Sequence, residues 1–278
     1  MTQTWLITGA SSGFGLAFAR YALDRGYNVV ATARSVGKLE ALAASAPDRV
    51  LAHRLDVTAP GDAGKAVAAA VARFGHIDVL INNAGYGIIG AVEETPEAEL
   101  RAQMETNFFG AMAVTRAVLP QLRAQQSGAI VNISSMGGQM SFAGAGAYSA
   151  SKFALEGISE ALALEVAPFG IKVLIVEPGA FRTGFAADAL KYMPVMDAYQ
   201  DVMGSTRDFM HAMHGTQAGD PYKAAAAIER ALAAETTPLR LQLGADAIDA
   251  VRQHGEKLLA DLAAWEKVGR ETQVDAGA

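Results

Sequence analysis

Short apolar stretches and amphipathic stretches take turns along this chain, and that alternation limits the fold more than any other feature. TWLIT (4–8) is short, apolar and β-branched. It runs into the glycine-rich turn GASSGFG (9–15), and LAFARYALDRG then has helical spacing. YNVVATA reads as a second strand and KLEALAASA as a helix; RVLAHRLDV, GDAGKAVAAAVARFG and IDVLIN repeat the pattern as strand, helix and strand. A long helix follows from about Pro96 to Gln125, then the strand AIVNISS, a helix from Tyr148 to about Pro168 and the strand KVLIVE. PLRLQLG (238–244) is one more strand, and 246–268 a final helix. Near-continuous apolar strands suit a sheet covered on both faces. The alternation predicts a three-layer, doubly wound α/β fold with a mostly parallel sheet. Right-handed crossovers would set the strand C-termini along one edge, where ligands bind.

The chain shows no linker, repeat or low-complexity tract across its 278 residues, so one domain over 1–278 is expected. The alternation pauses at 184–219, which divides that domain into a core (4–183), a variable segment (184–219) and a helix–strand–helix end (220–278). Asp220-Pro221 and Thr95-Pro96 each offer an N-cap followed by proline at the first helical position. A net charge of −6 with no Lys/Arg run argues against a nucleic-acid surface. Without cysteine there are no disulfides or thiolate metal sites, which suits a reducing, cytoplasmic location. MTQTWLITGASS lacks the basic and apolar regions of a signal peptide, and no run of about 18 apolar residues offers a membrane span.

The glycines of Thr8-Gly9-Ala10-Ser11-Ser12-Gly13-Phe14-Gly15 lie between a first strand and a first helix. There they let the backbone turn tightly and bring a pyrophosphate to the helix N-terminus. The spacing G-x-x-x-G-x-G is not a P-loop. An NAD-binding sheet tends to end its second strand in an acid, for the ribose 2′-hydroxyl. Here that strand ends Thr32-Ala33-Arg34. The guanidinium of Arg34 offers a fork of donors to a 2′-phosphate instead, which points to NADP(H) over NAD(H).

In AYSASKFAL (147–155), Tyr148 and Lys152 stand four apart, on one face of a helix. A phenol beside an ammonium is explained by a solvated helix face, or by a phenol that must exchange a proton. The wider motif set favours the second. TGASSGFG (8–15), LDV (55–57), NNAG (82–85), Asn107 in TNFFG, Ser135 in NISS, Tyr148-x-x-x-Lys152, and EPGAFRT with Pro178, Gly179 and Thr183 occur in the order of one family. With them the chain resembles the short-chain dehydrogenase/reductase family, in its single-domain branch.

The resemblance implies a Rossmann fold and the following sites. Gly9, Ser11, Ser12, Phe14 and Gly15 would line the pyrophosphate and adenosine ribose. Asp56 and Val57 would meet the adenine, and Asn83, Ala84 and Gly85 would run beside the cofactor, with Asn82 tying the sheet. Pro178, Gly179 and Thr183 would hold the nicotinamide. Ser135, thirteen residues before Tyr148, is the serine the family's spacing selects over Ser134. Asn107, Ser135, Tyr148 and Lys152 would form the proton relay. Ser135 would hold the substrate oxygen, Lys152 would lower the phenol's proton affinity and grip the nicotinamide ribose, and Asn107 would hold a water that links Lys152 to solvent. The activity implied is interconversion of a ketone or aldehyde and an alcohol by hydride transfer.

Val195, Met196, Tyr199, Val202, Met203, Phe209, Met210 and Met213 are spaced as one apolar helix face, either a pliable cover over a hydrophobic substrate or plain packing. Phe142, Phe181 and Phe185 are candidate apolar walls. His211 and His214 have helical ligand spacing but lack a third ligand, so no metal is expected. The broadly apolar helix after Tyr148 suits a homodimer or homotetramer. Two alternatives stand beside the enzyme: a non-catalytic NADP(H)-binding sensor or scaffold, and an extended-branch epimerase or dehydratase. The glycine spacing disfavours the epimerase.

Overall fold

A computed structural model describes residues 2–274. Seven strands form one sheet: β1 (Thr4–Ile7), β2 (Asn28–Ala33), β3 (Val50–Arg54), β4 (Val79–Asn82), β6 (Gly128–Ile133), β7 (Ile171–Pro178) and β9 (Arg240–Leu243). Their order is β3-β2-β1-β4-β6-β7-β9, and every pairing is parallel. The connections run outward from β1 to one edge and then from β4 to the other. The switch point between β1 and β4 opens a crevice at the strand C-termini.

Strand alternation splits the core in two. Trp5, Ile7, Val29, Ala31, Ile81 and Val131 face a cluster completed by Phe18 of α1 (Gly13–Asp24) and Ile228 of α9 (Pro221–Ala233). Leu6, Val30, Leu80 and Ile130 face the opposite way. They meet Ala66 of α3 (Asp62–Phe74), Val118 of α5 (Ala111–Gln125) and Leu162 of α6 (Gly146–Val166). Full burial of alternating residues on both faces explains why the strands read as unbroken apolar runs. The short helix α2 (Glu40–Ser45) lies between β2 and β3.

The structure departs from the sequence reading at several places. The long helix expected over 96–125 is α4 (Glu97–Met104), a π-helical turn (Glu105–Gly110) and α5. Pro96, not Thr95, is the N-cap, because the Thr95 hydroxyl donates to the Ala91 carbonyl at 2.9 Å. Asp220 does cap α9, accepting from the Tyr222 amide at 2.8 Å. β3 ends at Arg54, so LDV lies in the following turn, and β6 ends at Ile133, just before both serines.

The 184–219 segment holds α7 (Phe185–Asp188), β8 (Leu190–Tyr192) and α8 (Gln200–Ala212). β8 pairs in parallel with β5 (Gly87–Ile89) in a second, two-stranded sheet that the sequence pattern did not foretell. The single apolar face read there divides in two. Met203 is buried against Ile89, Ala91, Tyr199 and Met210, whereas Val195, Val202 and Phe209 face outward. A buried ion pair anchors the segment. Glu94 accepts from Arg207 Nη2 at 2.6 Å, from the Met196 amide at 2.8 Å and from the Ala91 amide at 2.7 Å. Those bonds, led by Arg207, hold its carboxyl down at about 2 against the opposing effect of burial.

α10 (Ala245–Arg270) begins against β9 and the turn after Ser135; from Glu256 onward every described residue is exposed. No helix among the described residues is long and apolar enough to cross a membrane.

Candidate active site

The glycine turn sits at the C-terminal end of β1, and its shape is set by contacts with the β4 edge. Gly9 and Gly13 have φ of 66° and 53°, which favour glycine. At Gly15 a side chain would overlap the Gly9 carbonyl and come within 2.6 Å of Asn83 Nδ2. Asn83 Nδ2 in turn donates to the carbonyls of Thr8 and Gly9 at 2.8 and 3.2 Å. The Thr8 hydroxyl accepts from the amides of Asn83 and Ala84 at 2.9 and 3.0 Å. Thr8, not singled out from sequence, therefore ties the glycine turn to the NNAG turn. Ser12 is the N-cap of α1 but makes no side-chain cap bond, so the first-turn amides keep their capacity for an anion. Close backbone approach and uncapped amides fit a dinucleotide pyrophosphate. Ser11 lies partly buried in the same turn. The Phe14 ring packs on Phe18 and Phe181 at 5.3 and 5.1 Å, which leaves its backbone to line the turn. That contact also places Phe181 in the core beside α1 rather than on a substrate wall.

At the end of β2, Arg34 is exposed and lies near Asp56. Hydrogen bonds from the Thr58 hydroxyl (2.7 Å) and amide (3.0 Å), then Arg34, hold the Asp56 carboxyl below its ordinary range. Val57 packs on Gly110, where a Cβ would lie 2.6 Å from its Cγ2. Gly85 abuts Asn107, with 3.0 Å from its would-be Cβ to Oδ1. Asn82 binds Thr115 and Asn132 at 2.9 and 2.8 Å, and Asn132 binds Ser159 at 2.8 Å; this buried chain joins β4, β6 and α6.

The π-helical turn carries Asn107 inward. Its Oδ1 accepts from the Tyr86 amide at 3.1 Å, and its Nδ2 donates to the Tyr86 carbonyl at 2.9 Å and to Ser151 Oγ at 3.0 Å. Both amide hydrogens are thus committed. A water for Lys152 could use only the second lone pair of Oδ1 or the Asn107 main chain. Local widening of a helix by one residue is a recurrent device at functional sites.

Beyond β6 the two serines part. Ser134 is buried and faces Glu156, whereas Ser135 turns toward the Tyr148 phenol, its Oγ also accepting from the Gly137 amide at 3.0 Å. Tyr148 lies near the start of α6, its ring 5.9 Å from that of Phe185. Lys152, one turn on, is buried; its Nζ is 5.7 Å from the Tyr148 ring centroid and donates to the Ile133 carbonyl at 2.8 Å. The sequence reading had this ammonium lowering the phenol. Instead burial pushes Tyr148 up to about 12, with Ser135 opposing, and pushes Lys152 down to about 8, with Glu156 opposing. Desolvation sets both directions, and Nζ gives its hydrogen bond to the Ile133 carbonyl.

Pro178 ends β7 and Gly179 follows it. The Gly179 turn is held by Asp246 of α10, whose Oδ2 accepts from the Ala180 amide at 2.6 Å; no sequence signal marked this residue. Thr183 faces Gly13, 3.5 Å from its would-be Cβ, and its hydroxyl accepts from the Phe185 amide at 3.3 Å. A cavity of about 330 Å³ lies beside them, lined by Gly13, Arg20, Arg182, Thr183 and His214 among others. Phe142 remains in the turn before α6, and His211 stacks on Tyr192 at 4.4 Å.

A doubly wound sheet with a glycine turn at β1, and with Ser, Tyr and Lys at its edge, defines a nucleotide-dependent enzyme class. The short chain dehydrogenase family model matches residues 3–193, and the chain belongs to that family. It is an oxidoreductase of the kind that works with a nicotinamide cofactor. The chain is 42% identical to the 3-ketodihydrosphingosine reductase of Bacteroides thetaiotaomicron over 248 residues, covering 87% of this chain and 88% of that one. A crystal structure of a short-chain dehydrogenase from Streptomyces avermitilis is similar with a TM-score of 0.94 and 52% identity, over 99% of this chain and 100% of that one. An alcohol dehydrogenase from Thermococcus sibiricus, complexed with 5-hydroxy-NADP, has a TM-score of 0.72 and 25% identity, over 87% and 96%.

Proposed function

We propose that this protein is an NADP(H)-dependent carbonyl reductase or alcohol dehydrogenase acting on a hydrophobic ketone or aldehyde. The observation that carries the reading is the convergence of Ser135 and Lys152 around Tyr148, beside the glycine turn and Thr183. Ser135 positions the carbonyl oxygen and Tyr148 delivers a proton to it. Lys152 supplies positive charge beneath the ring and reaches the nicotinamide ribose, and Asn107 braces Tyr86 and Ser151 around it. The cofactor, held by Gly9, Ser11, Ser12, Gly15, Asn83, Ala84, Gly85, Pro178, Gly179 and Thr183, supplies hydride chemistry. Arg34 supports a preference for the 2′-phosphate, and so for reduction. Phe185 and Leu190, both near Gly87 and Tyr148, supply apolar surface. The 184–219 segment serves as a lid over a single-domain core. The similarity to a reductase of a long-chain keto substrate is in keeping with an apolar ligand. Exposed Phe109, Phe153 and Leu164 support pairing of copies into a homodimer or homotetramer. The test is oxidation of NADPH and NADH, followed by absorbance, against aliphatic, aromatic and long-chain ketones. Cofactor binding without turnover on any carbonyl would favour a sensor instead.

A further inference from the structure

Beneath the catalytic residues lies a second buried ionic assembly that the proposed chemistry does not use. Lys152, Glu156 and Glu160 follow at four-residue spacing on one face of α6. Glu177 is the residue before Pro178 on β7, and Arg240 and Gln242 lie two apart on β9. Glu156 Oε2 is 3.0 Å from Arg240 Nε, and Glu177 Oε1 is 3.3 Å from the same atom. Gln139, at the close of the Ser135 turn, donates to both carboxylates at 3.2 Å. Gln242 donates to Glu177 Oε2 at 2.8 Å, and Arg240 Nη2 binds Glu160 at 2.6 Å. The Glu156 and Glu177 side chains are 5% and 0% exposed, while Glu160 is 54% exposed and solvated.

We propose that Glu156 is a positioning residue that sets the charge of Lys152, and that Glu177 and Arg240 hold Glu156 in its ionised form by keeping one shared proton on Glu177. Arg240 is shared among Glu156, Glu177 and the solvated Glu160, and Glu156 alone also faces the Lys152 ammonium, so Glu177 is the buried carboxyl left to keep a proton. The groups that face Glu156 are Arg240 from β9, Glu177 from β7, Ser134 and Gln139 from the serine segment, and Lys152 and Glu160 from its own helix. Lys152 faces Tyr148, Glu156 and the Ile133 carbonyl. Burial raises both carboxyls; Ser134, Arg240 and Gln139 oppose it at Glu156, whereas at Glu177 the charge of Glu156 adds to it and the carboxyl goes up to about 7, so Glu177 is the better proton carrier. Glu156 alone among the charged groups draws Lys152 back upward. The assembly also joins the Lys152 helix to the strand that ends at Pro178 through Arg240, and ties in the Ser135 turn through Gln139.

The inference rests on Lys152 serving the proposed reaction as an ammonium, and a direct titration separates the two. The full chain labelled with lysine ε-¹³C is titrated by NMR, with Lys152 assigned from Lys152→Met, beside the pH dependence of kcat/KM. In Glu156→Gln the Lys152 midpoint should fall by about half a pH unit or more. Arg240→Gln, which leaves α6 intact but lets Glu156 take up a proton, should lower it likewise. Glu177→Gln should leave it unchanged or raised. An unmoved midpoint in Glu156→Gln, or an equal fall in Glu177→Gln, overturns the proposal. If the midpoint falls while the alkaline limb of kcat/KM stays, the link from Glu156 to Lys152 stands, and the part given to Lys152 in the reaction does not.

Discussion

Lys152 Nζ lies 5.7 Å from the centroid of the Tyr148 ring but gives its hydrogen bond to the Ile133 carbonyl, at 2.8 Å. The lysine sits beside the ring without a hydrogen bond to the phenol. Burial dominates both groups, raising Tyr148 to about 12 and lowering Lys152 to about 8. At neutral pH the phenol keeps its proton, which suits the donor role proposed for it above. Tyr148→Phe should cut kcat by roughly 10²–10⁴-fold, the usual worth of a positioned acid. Binding of NADPH, followed by its fluorescence, should stay within a few-fold. Near-full turnover in this variant would remove the phenol from the mechanism.

The glycine turn allows a sharper steric test. Gly15→Ala places a methyl against the Gly9 carbonyl and Asn83, so it should abolish measurable dinucleotide binding in calorimetry and cost roughly 1–3 kcal/mol of stability. Gly64→Ala on α3 meets nothing within 4 Å. It should bind as the wild type does and gain about 0.5–1 kcal/mol, since glycine is the poorer helix former.

Arg34 is exposed at the end of β2, beside Asp56, where a 2′-phosphate would complete a charge-assisted pair. Arg34→Asp should shift the kcat/KM ratio of NADPH to NADH by about ten- to a hundredfold toward NADH. An unchanged ratio means another residue selects the cofactor.

Glu94 links Arg207 to the Ala91 and Met196 amides, so it should govern how tightly 193–213 closes. Glu94→Gln should speed hydrogen exchange in that segment, with a loss of up to about 3 kcal/mol. The sign of its pH dependence follows from a folded value depressed to about 2. Its contribution is complete above the ordinary carboxylate range and is lost as pH falls toward 2. The difference in melting temperature between wild type and Glu94→Gln should therefore be largest near neutrality and shrink below about pH 4. A constant difference across that range would exclude the ionised pair.

Much of this protein was legible in its residue order. Apolar runs between helical stretches determined a parallel sheet covered on both faces, because a strand buried on both sides has no polar alternate positions. The glycine spacing, Arg34, Ser135 and the Tyr148–Lys152 interval marked the site, because backbone freedom and side-chain chemistry are properties of single residues. What only tertiary structure decided were relationships between distant segments. The π-helical turn at Asn107 depends on Tyr86 and Ser151. The β5–β8 pair is too short to show a periodic pattern. Phe14 and Phe181 turned inward because each found the other. Glu94 met Arg207 and Glu156 met Arg240 across more than eighty residues. The proton affinities of Tyr148 and Lys152 were set by burial, a quantity that exists only once the chain has closed around them.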